Sequence, residues 1–466
     1  MEARSVNHDP ALEKSALFVA TLTSFMGPFM ISSVNVALPA IQAQWEVDAV
    51  GLSWISTAYL LATAVVLVPA GKLADIYGRK KVFTTGLSLY TAASALAAIV
   101  PSVSWLIAMR VFQGFGAAMF VTTGMAILTS VFPPERRGRV IGIYVAAVYI
   151  GLSVGPFAGG ILTQHVGWRS LFGIMLPLGA ASIYATLRHL KGEWADDRGT
   201  RFDITGSALY SISIFLLVYG ATVLPAPRAF AFMGGGVLGV AAFGWQEKRT
   251  SQPVFEVSLF LENRTFAFSS IAALINYAAT FAVTFLISLY LQYLKGLPPQ
   301  TAGAVLMAQP LVMAAISPLA GRKSDRVEPR LIASTGMGIT ALGLFNFVLL
   351  RPDTHLLLII GNLAFMGFGF ALFSSPNMNA IMGSVDRKFY GIASGAAGTM
   401  RLLGQMVSMA IATVVLALLM GRRQIEPSSY PQFLLCIRLC FGIFAALCAT
   451  GVAFSLSRGR VRNPSG

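Results

Sequence analysis

The sequence predicts an all-α polytopic membrane protein, and three observations lead to that class. Of its 466 residues, 56% are hydrophobic and only 11% are charged, whereas an ordinary soluble domain is about 25% charged. The mean hydropathy is +0.71. Apolar runs of about 20 residues, the length that crosses the roughly 30 Å hydrocarbon core of a bilayer, recur along the whole chain. Too little charge is left to cover a water-soluble surface.

Fourteen such runs are predicted to be membrane-spanning helices, which leaves no stretch long enough for a soluble domain. Their lack of polar alternation excludes a β-barrel, the other structure that satisfies backbone groups in lipid. The first run has no clear cleavage site, so we expect it to be the first helix and not a removed signal peptide. The predicted spans are 15–39, 51–70, 82–100, 104–130, 139–163, 170–188, 204–224, 229–245, 266–294, 302–320, 331–350, 355–383, 391–419 and 433–456.

The placement of Lys and Arg predicts the orientation. Twenty-five of the 34 basic residues fall in the tails and in the loops on the side of the termini, six fall on the other side, and Arg110, Arg401 and Arg438 fall within spans. Cytoplasmic loops are the richer in Lys and Arg, so we expect both termini to be cytoplasmic and the protein to lie in the cytoplasmic (inner) membrane. The net charge of +15 then meets anionic lipid, and it does not indicate nucleic-acid binding.

An internal repeat predicts two related halves. A Gly-x-x-x-Asp pattern with a basic residue after it begins at Gly71 and again at Gly321, an offset of 250. Two glycine-rich patterns recur at an offset of 253, from Gly114 to Gly367 and from Gly138 to Gly391. We therefore expect an N-terminal six-helix bundle over 1–190, a linker with two extra spans over 191–261, and a C-terminal six-helix bundle over 262–466.

The repeated motif lies in the loop after the second span of each half. Glycine permits a turn and close helix approach, while the aspartate can cap a helix or pair with a nearby base. These residue types predict conformational gating and no chemistry. The expected gating residues are Gly71, Asp75, Gly78, Arg79 and Lys80, with Gly321, Asp325, Arg326 and Arg330 in the second half.

With these motifs in place, the sequence resembles a major facilitator superfamily transporter, specifically the fourteen-span drug:proton antiporter group. The inner-loop residues, Arg110 to Gly114 in span four, Gly151 to Gly160 in span five, and Asn35 to Pro39 at the end of span one each resemble a motif of that group. The resemblance covers essentially the whole chain. It implies the major facilitator fold, multidrug-type efflux driven by protons, a role for Arg110 in proton coupling, and an export direction for the span-five motif.

The span-five motif also has a direct physical interpretation. Gly151, Gly155 and Gly159 share one helix face, which lets a neighbouring helix approach closely, and Pro156 removes a backbone hydrogen bond. We expect these residues, together with Gly160, to pack against another helix, either as a pivot for alternating access or as simple tight packing.

Polar residues within the spans are the candidates for coupling or for lining a cavity. An arginine facing lipid costs about 2.5–3.5 kcal/mol at a helix centre, so Arg110 and Arg401 should face the interior. Arg401 is either the cation of the cavity or a structural arginine bonded to carbonyls, and each polar residue alone is more often a helix–helix contact than a ligand contact. The candidates are Arg110, Gln113, Asn35, Asn276, Tyr277, Gln309, Asn377, Asn379, Arg401 and Gln405.

The acidic residues depart from the resemblance. None of the 19 Asp and Glu falls near the middle of a span, and Met30 stands where the related group carries a membrane aspartate. A proton carrier is usually a buried carboxylate or histidine. Proton coupling is therefore implied by the resemblance alone. An arginine-containing cavity without a carboxylate predicts a preference for neutral or anionic compounds over cationic ones.

Three functions stay open at this point. The first is a secondary exporter of small amphiphilic compounds, with protons and the lipid bilayer as its other partners; the second is a facilitator or exporter of a specific neutral or anionic metabolite; the third is a non-transporting receptor on the same fold. No paired carboxylates, nucleophile–base pair, metal-ligand cluster or cofactor motif predicts an enzyme. No phosphate loop predicts ATP-driven transport. The sequence does not decide whether a periplasmic adaptor takes part.

Overall fold

The computed structural model describes residues 10–195, 199–223, 226–250, 257–324, 326–385, 390–421 and 423–459. Within these ranges the chain is helical and has no strand. Its first nine helices are α1 (Pro10–Trp45), α2 (Ala49–Tyr77), α3 (Arg79–Ala97), α4 (Val103–Val131), α5 (Pro134–His165), α6 (Arg169–Gly173), α7 (Met175–His189), α8 (Ile204–Thr222) and α9 (Arg228–Glu247).

The other nine helices complete the bundle. They are α10 (Val257–Glu262), α11 (Arg264–Thr280), α12 (Ala282–Leu289), α13 (Pro299–Leu306), α14 (Ala308–Ser324), α15 (Pro329–Val348), α16 (Leu356–Gly383), α17 (Tyr390–Leu419) and α18 (Tyr430–Ser457). A π-helical turn over Tyr290–Leu294 extends α12.

Residues with known capping and helix-ending preferences lie at several helix ends. Asp48 caps α2 by accepting a hydrogen bond from the backbone N–H of Gly51 at 2.6 Å. Pro299 and Pro329 occupy the first turns of their helices, where a missing N–H costs nothing. Gly78 separates α2 from α3 with φ +114°, a conformation that L side chains rarely adopt. These signals place the helix ends close to the predicted span ends.

Fourteen helical rods correspond to the fourteen predicted spans, three of them built from consecutive segments. In the part of the chain that the structure describes, thirteen rods are long and apolar enough to cross a membrane. The rod that falls short is Arg79–Ala97, the third span, which carries three basic residues in its first turn and has polar positions along its length.

The rods pack mainly with neighbours from their own end of the sequence. In the first part, α1 packs on α5, and α4 packs on α2 and α3. In the last part, α16 packs on α14 and α15, and α11 packs on α17 and α18. Contacts between the two parts join α5 to α13, α2 to α17 and α1 to α12. A seam therefore runs between two groups of rods.

The inserted pair, α8 and α9, lies against this seam. Its two helices pack on each other, and α8 also contacts α2 and α17. The Tyr210 hydroxyl donates to the Ala64 carbonyl and the Ser211 hydroxyl donates to the Val65 carbonyl, each at 2.9 Å. Pro69 has no N–H to give to the carbonyl four residues earlier, which is that of Val65. Ser211 thus satisfies a group that the helix itself leaves open.

Candidate functional site

A cation lies on the seam between the two groups of rods. Arg401 sits well inside α17 and is partly exposed. Its guanidinium lies close to the hydroxyls of Tyr144 and Tyr149 of α5 and of Tyr277 of α11. Tyr149 and Ser374 of α16 share a hydrogen bond of 2.8 Å. We call Arg401, Tyr149, Tyr277 and Ser374 the central cluster.

Close helix packing sets the position of Tyr277 in this cluster. A Cβ on Gly404 of α17 would lie 2.4 Å from the Leu274 carbonyl oxygen and 2.8 Å from the Tyr277 Cβ. Glycine at this position lets α11 approach α17 one turn beyond Arg401. The Tyr277 ring then meets Phe370 edge-on, with centroids 5.3 Å apart. The result is a cation beside hydroxyl groups and an aromatic wall.

Arg110 occupies a different environment, since it is only 1% exposed. Its Nε donates to the Ile55 carbonyl at 3.1 Å and its Nη1 donates to Gln113 Oε1 at 2.9 Å. Gln113 in turn donates to Ser94 Oγ at 2.7 Å, and the guanidinium lies 4.3 Å from the centroid of the Tyr59 ring. Arg110 and Gln113 therefore belong to the packed interior of α2, α3 and α4.

Asn35 contributes its backbone as well as its side chain. Its side-chain Oδ1 accepts a hydrogen bond from Ser56 at 2.9 Å. Its carbonyl would normally receive the N–H of residue 39, but Pro39 has none. Ser288 of α12, across the seam, donates to that carbonyl at 2.9 Å, and Gln292 donates to the Val36 carbonyl at 2.9 Å.

Further contacts tie the two groups of rods at the same end of the bundle, which we call the opposite end because it lies away from the two termini. Tyr293 donates to Gln42, and Gln424 donates to the Glu46 carbonyl at 2.8 Å. His165 and Gln300 lie 3.1 Å apart, ring Nε2 to amide oxygen. The opposite end is thus closed by a set of hydrogen bonds across the seam.

The first inner-loop motif holds α2, α3 and α4 together at the terminal end. Arg79 pairs with Asp75 at 2.8 Å and donates to Ser130 Oγ of α4 at 2.6 Å. The backbone N–H of Lys80 donates to the Glu193 carboxylate at 2.8 Å. A Cβ on Gly78 would lie 2.4 Å from Glu193, whereas one on Gly71 would meet nothing within 4 Å. The close approach in this motif is at Gly78 and not at Gly71.

The second copy of the motif lies between α14 and α15. A Cβ on Gly321 would lie 2.7 Å from Ser375 Oγ, so α14 approaches α16 closely there. Asp325 lies outside the described residues. Arg326 is exposed, and Arg330 lies in the first turn of α15 with its Nε buried.

The span-five glycines face two different partners. Cβ atoms on Gly151, Gly155 and Gly159 would each lie within 2.7 Å of an atom of α1. Gly160 faces α13, where its Cβ would lie 2.5 Å from the Pro299 carbonyl oxygen, and the Pro156 carbonyl meets Gly303 on the same side. One helix therefore packs tightly both within its own group and across the seam.

The remaining predicted polar residues are not all on the seam. Gln405 follows Arg401 by one turn and, like Gln309, is partly exposed. Asn276 is fully buried, and neither of its amide atoms has a partner among the described residues. Two other asparagines hold helices together near the terminal end: Asn377 donates to the Ser269 carbonyl at 3.1 Å and Asn379 donates to Ser324 Oγ at 2.5 Å.

Sequence reasoning missed Arg458, which it counted only as a basic residue of the tail. The side chain is fully buried, and it donates to Asn377 Oδ1 at 2.6 Å and to the Pro329 carbonyl at 3.1 Å. Burial lowers the pKa of Arg458 to about 10, and the nearby Glu328 opposes that shift. Tyr149, Ser374 and Ser288 were also missed, because isolated tyrosines and serines carry no signal in a single sequence.

Acidic groups stay away from the middle of the helices. Within the described helices every Asp and Glu lies within four residues of a helix end, and Met30 is fully buried. No group of three or more His, Cys, Asp or Glu that could bind a metal lies within the described ranges. Cys436, Cys440 and Cys448 are buried free thiols.

Known proteins share both the sequence and the fold. The family model of the Major Facilitator Superfamily matches residues 17–409. The riboflavin transporter RibZ of Clostridioides difficile is 29% identical over 443 residues, 94% of this chain and 96% of that protein. The multidrug resistance protein Stp of Mycobacterium tuberculosis is 32% identical over 84% of this chain and 74% of that protein. A crystal structure of a peptide transporter POT has a TM-score of 0.70 at 14% identity, with 96% and 95% of the two chains covered. The chain therefore belongs to the Major Facilitator Superfamily and is a multi-pass membrane transporter of small molecules.

Proposed function

We propose that the protein is a secondary transporter that exports small amphiphilic or hydrophobic compounds across the cytoplasmic membrane by alternating access. The observation that carries the proposal is the central cluster. Its side chains come from α5 in the first group of rods and from α11, α16 and α17 in the last group, and each of them is partly exposed. A site shared by two halves is what rocking of one half against the other requires.

The proposed moving bodies are the two six-helix bundles, residues 1–190 and 262–466, with 191–261 as the inserted pair and its linkers. With both termini in the cytoplasm, as the Lys and Arg placement favours, the opposite end is the outer end. The hydrogen bonds from Ser288 and Gln292 to α1 then represent the state closed to the outside. Export requires that these bonds break while contacts form at the terminal end, where we assign gating to the two inner-loop motifs.

Two kinds of support favour export of apolar ring compounds. The span-five motif resembles that of exporters, and its glycines face α1 directly. Among the relatives, one is named a multidrug resistance protein and another a riboflavin transporter. Aromatic side chains next to a few polar groups, as around Tyr277 and Phe370, are typical of sites for such ligands.

Proton antiport is the coupling mode that the resemblance implies, and the second candidate is a facilitator. The facilitator is favoured by the absence of any Asp or Glu from the middle of the described helices. A carrier of protons needs a group that changes its protonation as access alternates, and an arginine keeps its proton across the physiological pH range.

Efflux from cells that express the protein tests both candidates. A panel of dyes and drugs is loaded, and efflux is measured with the pH gradient intact, with the pH gradient collapsed, and with the membrane potential also collapsed. Expression of Arg351→Gln, an exposed arginine in a loop, is the matched control for Arg401→Gln. We expect efflux that depends on the pH gradient in the wild type and control and is lost in Arg401→Gln. Efflux independent of both gradients indicates the facilitator, and no efflux of any compound overturns transport of this class.

A further inference from the structure

We propose that the substrate carries an anionic group, a carboxylate or sulfonate attached to an aromatic body, which Arg401 binds in the central cluster. The inference rests on the proposed function, because it names the substrate class of the same site. It is carried by the contrast between Arg110 and Arg401 and by the groups that surround each of them.

Arg110 already has its partners within the fold. Its guanidinium donates to a carbonyl and to an amide, faces an aromatic ring, and is shut off from solvent. These contacts satisfy the cation without any ligand. An arginine of this kind stabilises the packing of α2, α3 and α4, and it is not available to a substrate.

Arg401 has a different set of neighbours. It is partly exposed, and no described carboxylate forms an ion pair with it. Its titratable neighbours are the hydroxyls of Tyr144, Tyr149 and Tyr277, and a tyrosine hydroxyl carries no charge at physiological pH. A cation inside a membrane protein is costly unless an anion or a carbonyl meets it. The fold therefore presents a positive charge whose counter-ion is not part of the described chain.

The neighbouring groups suit an oxyanion. A guanidinium offers several N–H donors in a plane that matches a carboxylate or sulfonate. The hydroxyl of Tyr277 can add a donor, and the Tyr149–Ser374 pair can add one more, because the other hydrogen of that pair is used in the bond between them. The Tyr277 and Phe370 rings supply an aromatic wall beside the charge. A cationic compound in the same place meets like charge without a compensating carboxylate, so charge sign should decide binding.

A matched set of three probes with one aromatic body tests the charge preference. They are 2-naphthalenesulfonate, the neutral 2-naphthalenesulfonamide and the 2-naphthyl-trimethylammonium cation, whose charges are fixed at neutral pH. Binding is measured by fluorescence titration of the purified protein in lipid nanodiscs, without any gradient. We expect the anion to bind at least tenfold more tightly than the cation. An anion that binds no more tightly than the cation, including the case in which neither binds, overturns the proposal.

Variants assign the preference to Arg401. Loss of the charged hydrogen bonds of one arginine weakens binding by about 10- to 100-fold. Arg401→Gln should therefore raise the dissociation constant of the anion by that factor and change that of the neutral probe by no more than about twofold. Arg401→Lys should still bind the anion more tightly than the cation, because lysine keeps the positive charge. Its binding of the anion should be weaker than that of the wild type, because lysine lacks the planar set of donors of arginine. Tyr277→Phe should weaken binding of the anion by about three- to tenfold. Melting curves of each variant, with Arg351→Gln as control, establish that the fold is intact, and an Arg401→Gln that keeps the full preference contradicts the assignment.

Flux of the same probes separates this inference from the proposed function. The probes are followed into proteoliposomes that contain the wild type or a variant. Charge-selective binding without any flux leaves the site in place and overturns the transport function. Flux of all three probes with no preference for the anion supports transport and overturns the anionic substrate.

Discussion

The hydrogen bond from Ser288 to the Asn35 carbonyl is expected to control how often the opposite end is closed. The Asn35 carbonyl has no donor from its own helix because Pro39 lacks an N–H, and Asn35 is only 1% exposed. Ser288→Ala leaves a buried carbonyl without a donor, which costs about 1–3 kcal/mol. That cost falls on the closed state only, so the ratio of closed to open molecules should drop by about 5- to 150-fold.

A second substitution tests the cause of the effect. Pro39→Ala restores the N–H that the helix itself would donate to Asn35. In that background the carbonyl has a donor with or without Ser288, so we expect Ser288→Ala to shift the ratio by less than about threefold. The pair of variants and the double variant form a double-mutant cycle, which isolates the interaction between the two positions.

Distances between two spin labels on the opposite end report the ratio. Cysteines placed at Val166 and Asp353, both exposed, carry the labels, and the three native cysteines are buried. Ser270→Ala removes a buried hydroxyl without a partner among the described residues and serves as the matched control. If Ser288→Ala has the same effect in the wild-type background and in the Pro39→Ala background, the reasoning is refuted, because the freed carbonyl then has no part in closure.

Three further predictions concern stability. Gly159→Ala places a Cβ 2.7 Å from the backbone of Ser33, so it should destabilise the protein by about 1–3 kcal/mol and lower its melting temperature. In the control Gly142→Ala, on the same helix, the new Cβ meets nothing within 4 Å, so the melting temperature should stay unchanged or rise. Equal melting temperatures of the two variants contradict the close packing of Gly159 on α1. Arg110→Gln removes the guanidinium that donates to the buried Gln113 Oε1 and adds a second donor to the Ile55 carbonyl, so it should lower the melting temperature. Arg401→Gln should not lower it, and a thermal melt of both variants decides. Burial lowers the pKa of Arg458 in the folded protein to about 10, below its ordinary value, so the unfolded chain binds more protons above about pH 10 and stability should rise with pH there. The free energy of unfolding of the wild type should increase relative to that of Arg458→Gln above about pH 10, and the difference between the two should stay constant between pH 6 and 9, as measured by chemical unfolding.

Hydropathy predicted the helical rods well, because lipid permits few structures other than long apolar helices. The one rod of the described chain that is not apolar enough by composition to cross a membrane is α3. It packs on α4 and α7, so part of its surface is covered by protein and not by lipid. The span-five glycines were recognisable from their spacing of four, which puts them on one face whatever the partner. The sequence could not tell which partner each face would meet.

The candidate site was harder to predict, because it depends on how deeply each side chain is buried and on which neighbouring helix it faces. Arg110 and Arg401 are equivalent in a sequence, yet one is enclosed by carbonyl and amide groups and the other is partly exposed on the seam. Asn377, which the sequence predicts to be a cavity residue, is buried near the terminal end and accepts a hydrogen bond from Arg458. The hydrogen bond of Ser288 depends on a carbonyl freed by a proline more than 200 residues away, a relation that no local pattern contains.

The inserted pair of helices has a consequence for how the transporter moves. Its hydrogen bonds, from Tyr210 and Ser211, go to α2, whereas toward α17 the described residues show packing without a direct hydrogen bond. Directional bonds hold a fixed register, and apolar packing can slide. In the proposed rocking motion, the pair should move together with the first group of rods, so that sliding is confined to the surface between α8 and α17.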